Sequence, residues 1–150
     1  MKIHGSRDLA APREAVFAAI CDPDALLAVI PGCDEIEAVG NGEYRGRISL
    51  RLPGIIGTYR TVVRLVDAEP PGRGVLRGEV TGSLGSIEGD ASFRLTESAG
   101  GGTTVDYDGT AALAGPLARL DGRFIEGLAG SLIGQALANL DSRLQEETSR

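Results

Sequence analysis

One histidine, two cysteines and three tyrosines are the side chains of this 150-residue chain that catalysis would draw on first. His4 stands alone, so histidine-based metal sites and nucleophile–histidine pairs are nearly excluded. By strand parity it shares the polar side of an opening strand with Lys2, Ser6 and Asp8 and reads as a surface residue. Cys21 and Cys33 form no C-x-x-C and are expected as small buried hydrophobes in a reducing compartment. Asp22, Asp34, Glu35 and Glu37 fall on helix caps or strand exits, and Asp106 and Asp108 flank Tyr107 with outward parity. Gly100-Gly101-Gly102 leads into no helix, so it is a turn and not a phosphate loop. These residues point away from an enzyme and from a bound metal. The remaining chemistry is hydrogen bonding: Tyr44, Tyr59, Tyr107, Ser131, Gln135 and Asn139 could meet a carbonyl or hydroxyl on an otherwise apolar molecule.

Those groups need a frame, and the last third of the chain supplies its axis. Between Gly115 and Glu147, apolar residues recur at Leu117, Leu120, Phe124, Ile125, Leu128, Leu132, Ile133, Leu137, Leu140 and Leu144, the spacing of an amphipathic helix. Pro116 suits its first turn. At 1.5 Å per residue it would run roughly 45 Å and needs a partner surface to cover its stripe. Gly122, Gly127, Gly130 and Gly134 lie inside it, each about 1 kcal/mol less favourable than alanine. Phe124, Gly127, Ser131, Gly134 and Ala138 share one line of the helix, expected to face the core.

Upstream, the partner surface is made of strands. Met1 to Leu9 reads as an opening strand. Pro12-Arg13-Glu14 starts a short helix with Val16, Phe17 and Ile20, and Asp22-Pro23 caps a second through Leu26, Leu27 and Ile30, ended by Pro31-Gly32. From Cys33 the period switches to two. A strand at 34–39 is followed by the hairpin signal Gly40-Asn41-Gly42. Tyr44 to Leu52 alternates, Pro53-Gly54 breaks it, and Ile55-Ile56-Gly57 reads as an apolar loop tip, exposed for membrane contact or folded over as a lid. Further alternating runs follow over 59–65, 76–81, 87–95 and 105–113, separated by Pro70-Pro71-Gly72 and the glycine turn. Short turns between successive strands mean an antiparallel sheet with one wet face, and the whole is an α+β domain spanning residues 1–150.

The inward set of that sheet is mixed in size. It holds Tyr44, Ile48, Leu50, Tyr59, Val63, Leu76, Val80, Phe93 and Tyr107, interrupted by Gly46, Gly78, Gly89, Ala91, Gly109 and Ala111. Strand glycines let a sheet curl, or mark a place where something approaches closely. With the helix also short of side chains, close packing would fail on both walls, and the expectation is an apolar cavity filled by a hydrophobic small molecule. Its walls are expected to be Leu27 and Ile30 of the short helices, Tyr44, Tyr59, Val63, Leu76, Val80, Phe93 and Tyr107 of the sheet, and Leu120, Phe124, Leu128 and Gln135 of the long helix. Leucine at Gly134 or Gly89 is then expected to abolish ligand retention. The outer face collects Arg45, Arg47, Arg51, Arg60, Arg64 and Arg77 among Glu43, Glu79 and Glu88, either a solvated face or a dock for an acidic partner protein or anionic headgroups.

A net charge of −6 argues against nucleic acid as the partner. With 42% hydrophobic and 24% charged residues the balance is that of a globular domain. The opening Met1-Lys2-Ile3-His4-Gly5 contains no apolar signal region and no run reaches a membrane span, so the expectation is a cytoplasmic protein with at most peripheral membrane contact.

Several segments carry a resemblance: Met1-Lys2-Ile3-x-Gly5-Ser6, Ala11-Pro12-Arg13-Glu14-x-Val16-Phe17, Asp22-Pro23, Gly57-Thr58-Tyr59 and Ala138-Asn139-Leu140, with Ile30-Pro31-Gly32-Cys33 the most specific. In these, and in the order strand, two short helices, six strands and long helix, the chain resembles the G-subunit family of carbon monoxide dehydrogenase, within the helix-grip (START-like, SRPBCC) superfamily. The resemblance covers essentially the whole sequence. It implies a curved seven-stranded antiparallel sheet wrapped around one long C-terminal helix. It also implies a non-catalytic accessory protein of a molybdenum-containing carbon monoxide dehydrogenase or related hydroxylase. Such a protein would bind an isoprenoid quinone, menaquinone or ubiquinone, and link the enzyme to the inner face of the cell membrane. Many members carry a C-terminal extension ending in a hydrophobic segment, whereas this sequence ends at Glu146-Glu147-Thr148-Ser149-Arg150. The alternatives are a docking protein without ligand, using the arginine face or the Pro31-Gly32 corner, and a START-like cyclase or hydrolase.

Overall fold

The computed structural model describes residues 1–148; Ser149 and Arg150, the last two residues of the closing segment, lie outside the described residues. Strand β1 (Lys2–Leu9) leads into helices α1 (Arg13–Ile20) and α2 (Pro23–Val29). Six strands follow: β2 (Cys33–Gly40), β3 (Glu43–Leu52), β4 (Ile55–Glu69), β5 (Arg73–Gly82), β6 (Gly85–Glu97) and β7 (Thr103–Ala114). Helix α3 (Gly122–Thr148) closes the chain. The sheet order is β1-β7-β6-β5-β4-β3-β2, every neighbouring pair antiparallel, which is the helix-grip arrangement expected. Because β1 and β2 sit at opposite edges, the α1–α2 connection must span the sheet's width, and both helices pack against α3.

Local chemistry fixes the boundaries. The Asp22 carboxylate accepts from the Asp24 N–H at 3.0 Å with Pro23 in the first turn, as a capped start of α2 requires. Asn41 and Gly42 both adopt positive φ (53° and 74°), the pair of left-handed residues that a two-residue hairpin demands. The turn at Pro53-Gly54 is tighter than the sequence suggested: Leu52 pairs with Ile55, so Ile55 and Ile56 belong to β4 and alternate. Ile55 is buried, whereas Ile56 is 69% exposed.

The long helix starts later than its apolar spacing implied. Gly115–Arg119 is a short 3₁₀ turn holding Pro116, and Leu120 is extended (ψ 155°). Asp121 then restarts the helix, its carboxylate accepting from the Arg123 N–H at 2.8 Å and its carbonyl from the Ile125 N–H at 3.1 Å. An aspartate cap outcompetes continuation through Leu120, leaving 27 residues of α3, roughly 40 Å. Asn139 donates to the Val29 carbonyl at 3.0 Å and ties α3 to α2. On the other side α3 covers the free edge of β1: the Lys2 and Ala10 amides donate to Glu126 and Asp141 carboxylates, and Arg7 reaches the Gly134 carbonyl. The opposite edge strand, β2, carries two register irregularities and three acids, which discourage further pairing.

The line expected to face the core does not. Ile125, Leu140 and Leu144 are buried, and with 3.6 residues per turn the Phe124–Gly127–Ser131–Gly134–Ala138 line falls on the opposite side of α3. Phe124 is 40% exposed, Gly127 and Ser131 are exposed, and a β-carbon added at Gly122, Gly127, Gly130 or Gly134 would meet nothing within 4 Å. The positions sharing the buried direction in mid-helix are Ala129, Leu132 and Ala136. Helical phase cannot be assigned from a stripe of small residues when the outer face is itself uncharged, as it is here from Gly127 to Leu140.

Candidate functional site

The core between sheet and helices divides into two clusters. One joins Leu9, Val16, Phe17, Val29, Phe93, Leu95, Val105, Leu140 and Leu144. The other joins Ile55, Tyr59, Leu117 and Ile125, with Leu50, Val80, Ile87, Leu120 and Leu128 packed against it. Between Leu128, on the second cluster, and Leu137, on the first, Leu132 and Ile133 join neither and are only partly buried. Ile48 and Val63 of the sheet likewise join neither and are partly buried.

The strand registers explain the interruption. One inward row runs Tyr44–Val63–Gly78–Gly89–Ala111, and the next Leu65–Leu76–Ala91–Gly109–Ile3. From β5 to β7 the first row carries nothing larger than a methyl group, and on α3 the partly buried Ala129 and Ala136 share the direction of Ile125 and Leu140. The result is a side-chain-poor band bordered by aliphatic residues at both ends.

The inner glycines have different causes. A β-carbon at Gly109 would lie 2.8 Å from the Ala91 Cα and closer still to the Asp90 carbonyl oxygen. At Gly89 it would lie 2.9 Å from the Ala111 Cα and closer to the Thr110 carbonyl oxygen, and at Gly46 3.1 Å from the Ile36 Cα. These three are what the tight coil of the sheet requires, so leucine at Gly89 would disrupt backbone pairing before it reached any ligand, contrary to the expectation. Leucine at Gly134 fails for another reason, since it would project from the outer side of α3. Gly78 alone among the inner four has room, its nearest neighbours at 3.7 and 3.8 Å. Elsewhere aromatic rings cover glycines: Phe93 lies over Gly74, Tyr107 over Gly5 and Tyr59 over Gly82. Those rings are therefore laid against the sheet.

The expected wall residues separate accordingly. Val63 borders the band, Leu76 and Val80 close it from the two clusters, and Leu128 and Leu120 belong to the second. Ile30, Phe93 and Tyr107 pack into the first. Leu27 (41% exposed), Phe124 and Gln135 lie on the surface, a correction that follows from α2 burying Ala25 and Val29 and from the phase of α3. Tyr44 is buried, and its hydroxyl donates to the Cys21 carbonyl at 2.9 Å, so it is committed within the fold. Tyr59 and Thr61 are 1% and 8% exposed, and neither hydroxyl has a hydrogen-bond partner. Burial pushes the Tyr59 phenol above its ordinary value, which keeps it a neutral donor. Thr61 escaped sequence reading; its inward parity between Tyr59 and Val63 was the available signal. Ala129 and Ala136 escaped too.

The outer face is a solvated charge lattice. Glu43 accepts from Arg64 at 2.8 Å and pairs with Arg45 at 3.0 Å, and these bonds, Arg64's foremost, hold its carboxyl below the usual range. Arg47 pairs with Asp34 and Glu35. Arg51, Arg60 and Arg77 of the sheet and Arg119 and Arg123 near the start of α3 make no ion pair among the described residues; Arg51 lies across from the exposed Ile56, and Arg123 precedes the exposed Phe124. Cys21 and Cys33 are free, partly buried thiols, both pushed up by burial, so neither is an activated nucleophile. No helix of the described residues is long and apolar enough to cross a membrane.

Solved structures similar to this chain include a conserved protein from Geobacillus kaustophilus, 23% identical, covering 97% of this chain and 96% of its own, with a TM-score of 0.93. A START superfamily protein from Mycobacterium smegmatis is 12% identical, with 97% of each chain covered and a TM-score of 0.75. Protein Ms6760 from the same organism is 18% identical over 97% of this chain and 92% of its own, with a TM-score of 0.73. At these identities the likeness establishes the fold alone. No curated protein matches the sequence. The family model of the carbon monoxide dehydrogenase G subunit (CoxG) matches residues 5–145, and by that match the chain belongs to the CoxG family.

Proposed function

We propose that this protein is a non-catalytic carrier that holds an isoprenoid quinone in the band between sheet and α3 and links a carbon monoxide dehydrogenase-type molybdenum hydroxylase to membrane quinone. The observation that carries the reading is the split core: two packed clusters, with the small inward row Gly78–Gly89–Ala111 on the sheet and the small Ala129 and Ala136 in the buried direction of α3. Leu76, Val80, Val63 and Leu132 would hold an apolar ring and tail, and the partnerless hydroxyls of Tyr59 and Thr61 suit a ligand that carries oxygen. The quinone supplies reversible electron acceptance; the chain's part is to bind it away from water. Membership of the CoxG family supports the choice of partner.

Protein purified natively from a quinone-containing host is expected to yield a stoichiometric isoprenoid quinone on organic extraction and mass spectrometry. An empty extract, together with no uptake of added menaquinone, would leave only a docking role.

Ile56 and Phe124, exposed apolar side chains, together with Arg51 opposite Ile56 and with Arg119 and Arg123 at the start of α3, suit the headgroup region of an anionic bilayer. Sedimentation with phosphatidylglycerol vesicles is expected for the natural chain and to fall at least about five-fold in Ile56→Asp and Phe124→Asp, each placing a charge where an apolar contact was. Equal sedimentation of the variants would remove this end of the molecule from the membrane contact.

A further inference from the structure

The hydroxyls of Tyr59 and Thr61 are an unexplained pair. They lie two residues apart on the inner face of β4, each more than nine-tenths buried, and neither donates nor accepts a hydrogen bond. Buried hydroxyls are otherwise satisfied in this fold: Thr103 donates to the Ala11 carbonyl at 2.7 Å, and Tyr44 to Cys21. Leaving one unpaired is unfavourable, and apolar residues of the same shape, phenylalanine and valine, would avoid the penalty altogether. Thr61 is the inward residue next to Val63, which borders the band, and Tyr59 is the next one along, at the second-cluster end of the strand with its ring over Gly82. Ile48, across from Tyr59, and Val63, the next inward residue after Thr61, are partly buried and belong to neither core cluster.

Resting on the ligand reading above, we infer that Tyr59 and Thr61 form the polar subsite of the band, donating to a carbonyl-type oxygen of an otherwise apolar ligand. Each hydroxyl carries one O–H that a carbonyl oxygen can accept, and the two residues stand on one strand face. Aliphatic walls bind hydrocarbon without regard to its ends. A dry pair of donors makes the difference between ligands that carry an oxygen and those that do not, because only the former repay the desolvation of the hydroxyls. Tyr59 and Thr61 would thus set specificity, while the aliphatic walls set affinity.

The test titrates the full chain with menaquinone-4 and with phytane, an isoprenoid hydrocarbon that has no oxygen, in the natural protein and in Tyr59→Phe, Thr61→Val and Thr61→Ser. The natural protein is expected to favour the quinone. Tyr59→Phe and Thr61→Val should each weaken quinone binding about five-fold, as loss of one hydrogen bond does, and leave phytane unchanged. Thr61→Ser, which keeps the hydroxyl, should retain the preference, and the ligand-free melting temperature of Tyr59→Phe and Thr61→Val should not fall. Unchanged quinone binding in both hydroxyl-free variants overturns the subsite while leaving the carrier reading intact. Failure of the natural protein to bind either probe overturns both.

Discussion

Gly78→Leu is expected to empty the protein of its hydrophobic ligand without unfolding it. Gly78 lies at the centre of the inward row Val63–Gly78–Gly89, and a β-carbon there meets only the Val62 carbonyl and a Val63 methyl, at ordinary contact distance. A leucine side chain would extend from it into the band between the two clusters, occupying the volume that the ligand uses. Burying it adds about 2 kcal/mol of apolar transfer energy, and replacing a strand glycine relieves its conformational entropy. Thermal unfolding should therefore be unchanged or raised, while quinone recovered by extraction, or bound on titration, should drop by about 100-fold. Retention at the natural level in a folded Gly78→Leu variant would move the ligand out of the band. The same experiment at Gly89 carries no such meaning, because that side chain would collide with β7.

Gly109→Ala is expected to be among the most destabilising single methyl additions in this chain. Its β-carbon would sit within bonding-like range of backbone on β6, against the Asp90 carbonyl and 2.8 Å from the Ala91 Cα. Backbone atoms of a paired strand cannot rotate away as a side chain can, so relief requires prising β6 from β7. Overpacking of this kind costs about 3 kcal/mol, a large share of a typical folding free energy. For a domain of this size the melting temperature should fall by roughly 6–12 °C. Gly127→Ala and Gly130→Ala supply the contrast. Nothing lies within 4 Å of either new methyl, and each should stabilise α3 by about 1 kcal/mol. If Gly109→Ala unfolds at the natural temperature, the coil of β6–β7 does not depend on glycine. Helix variants that lose stability would mean that the outer face of α3 is covered.

The two glycine populations carry the comparison of sequence with structure. The order of elements, the seven strands, the capped start of α2 and the Asn41-Gly42 turn were legible, because alternation, caps and turn residues act over a few neighbouring positions. The small size of the inward set at 78, 89, 91, 109 and 111 was legible too, by parity. Its meaning was not, since parity cannot tell a glycine demanded by a neighbouring strand's backbone from one with open space above it; register across β5, β6 and β7 decides that. Thr61 was passed over because threonine inside a strand is ordinary, and only the absence of a partner makes it notable.

By itself, then, the sequence determined the antiparallel sheet, the long helix, the shortage of side chains on the sheet's inner face and the family. Local periodicity and short-range chemistry encode all of these. Tertiary structure alone decided which way α3 turns. Asn139 and the carboxylates of Glu126 and Asp141 pinned it to α2 and β1, and the glycine line went to the outside. Helical phase depends on contacts more than a hundred residues apart in the chain, and no local pattern can specify them. The same long-range packing put Ala129 and Ala136 in the buried direction of α3 and left the hydroxyls of Tyr59 and Thr61 buried without a partner.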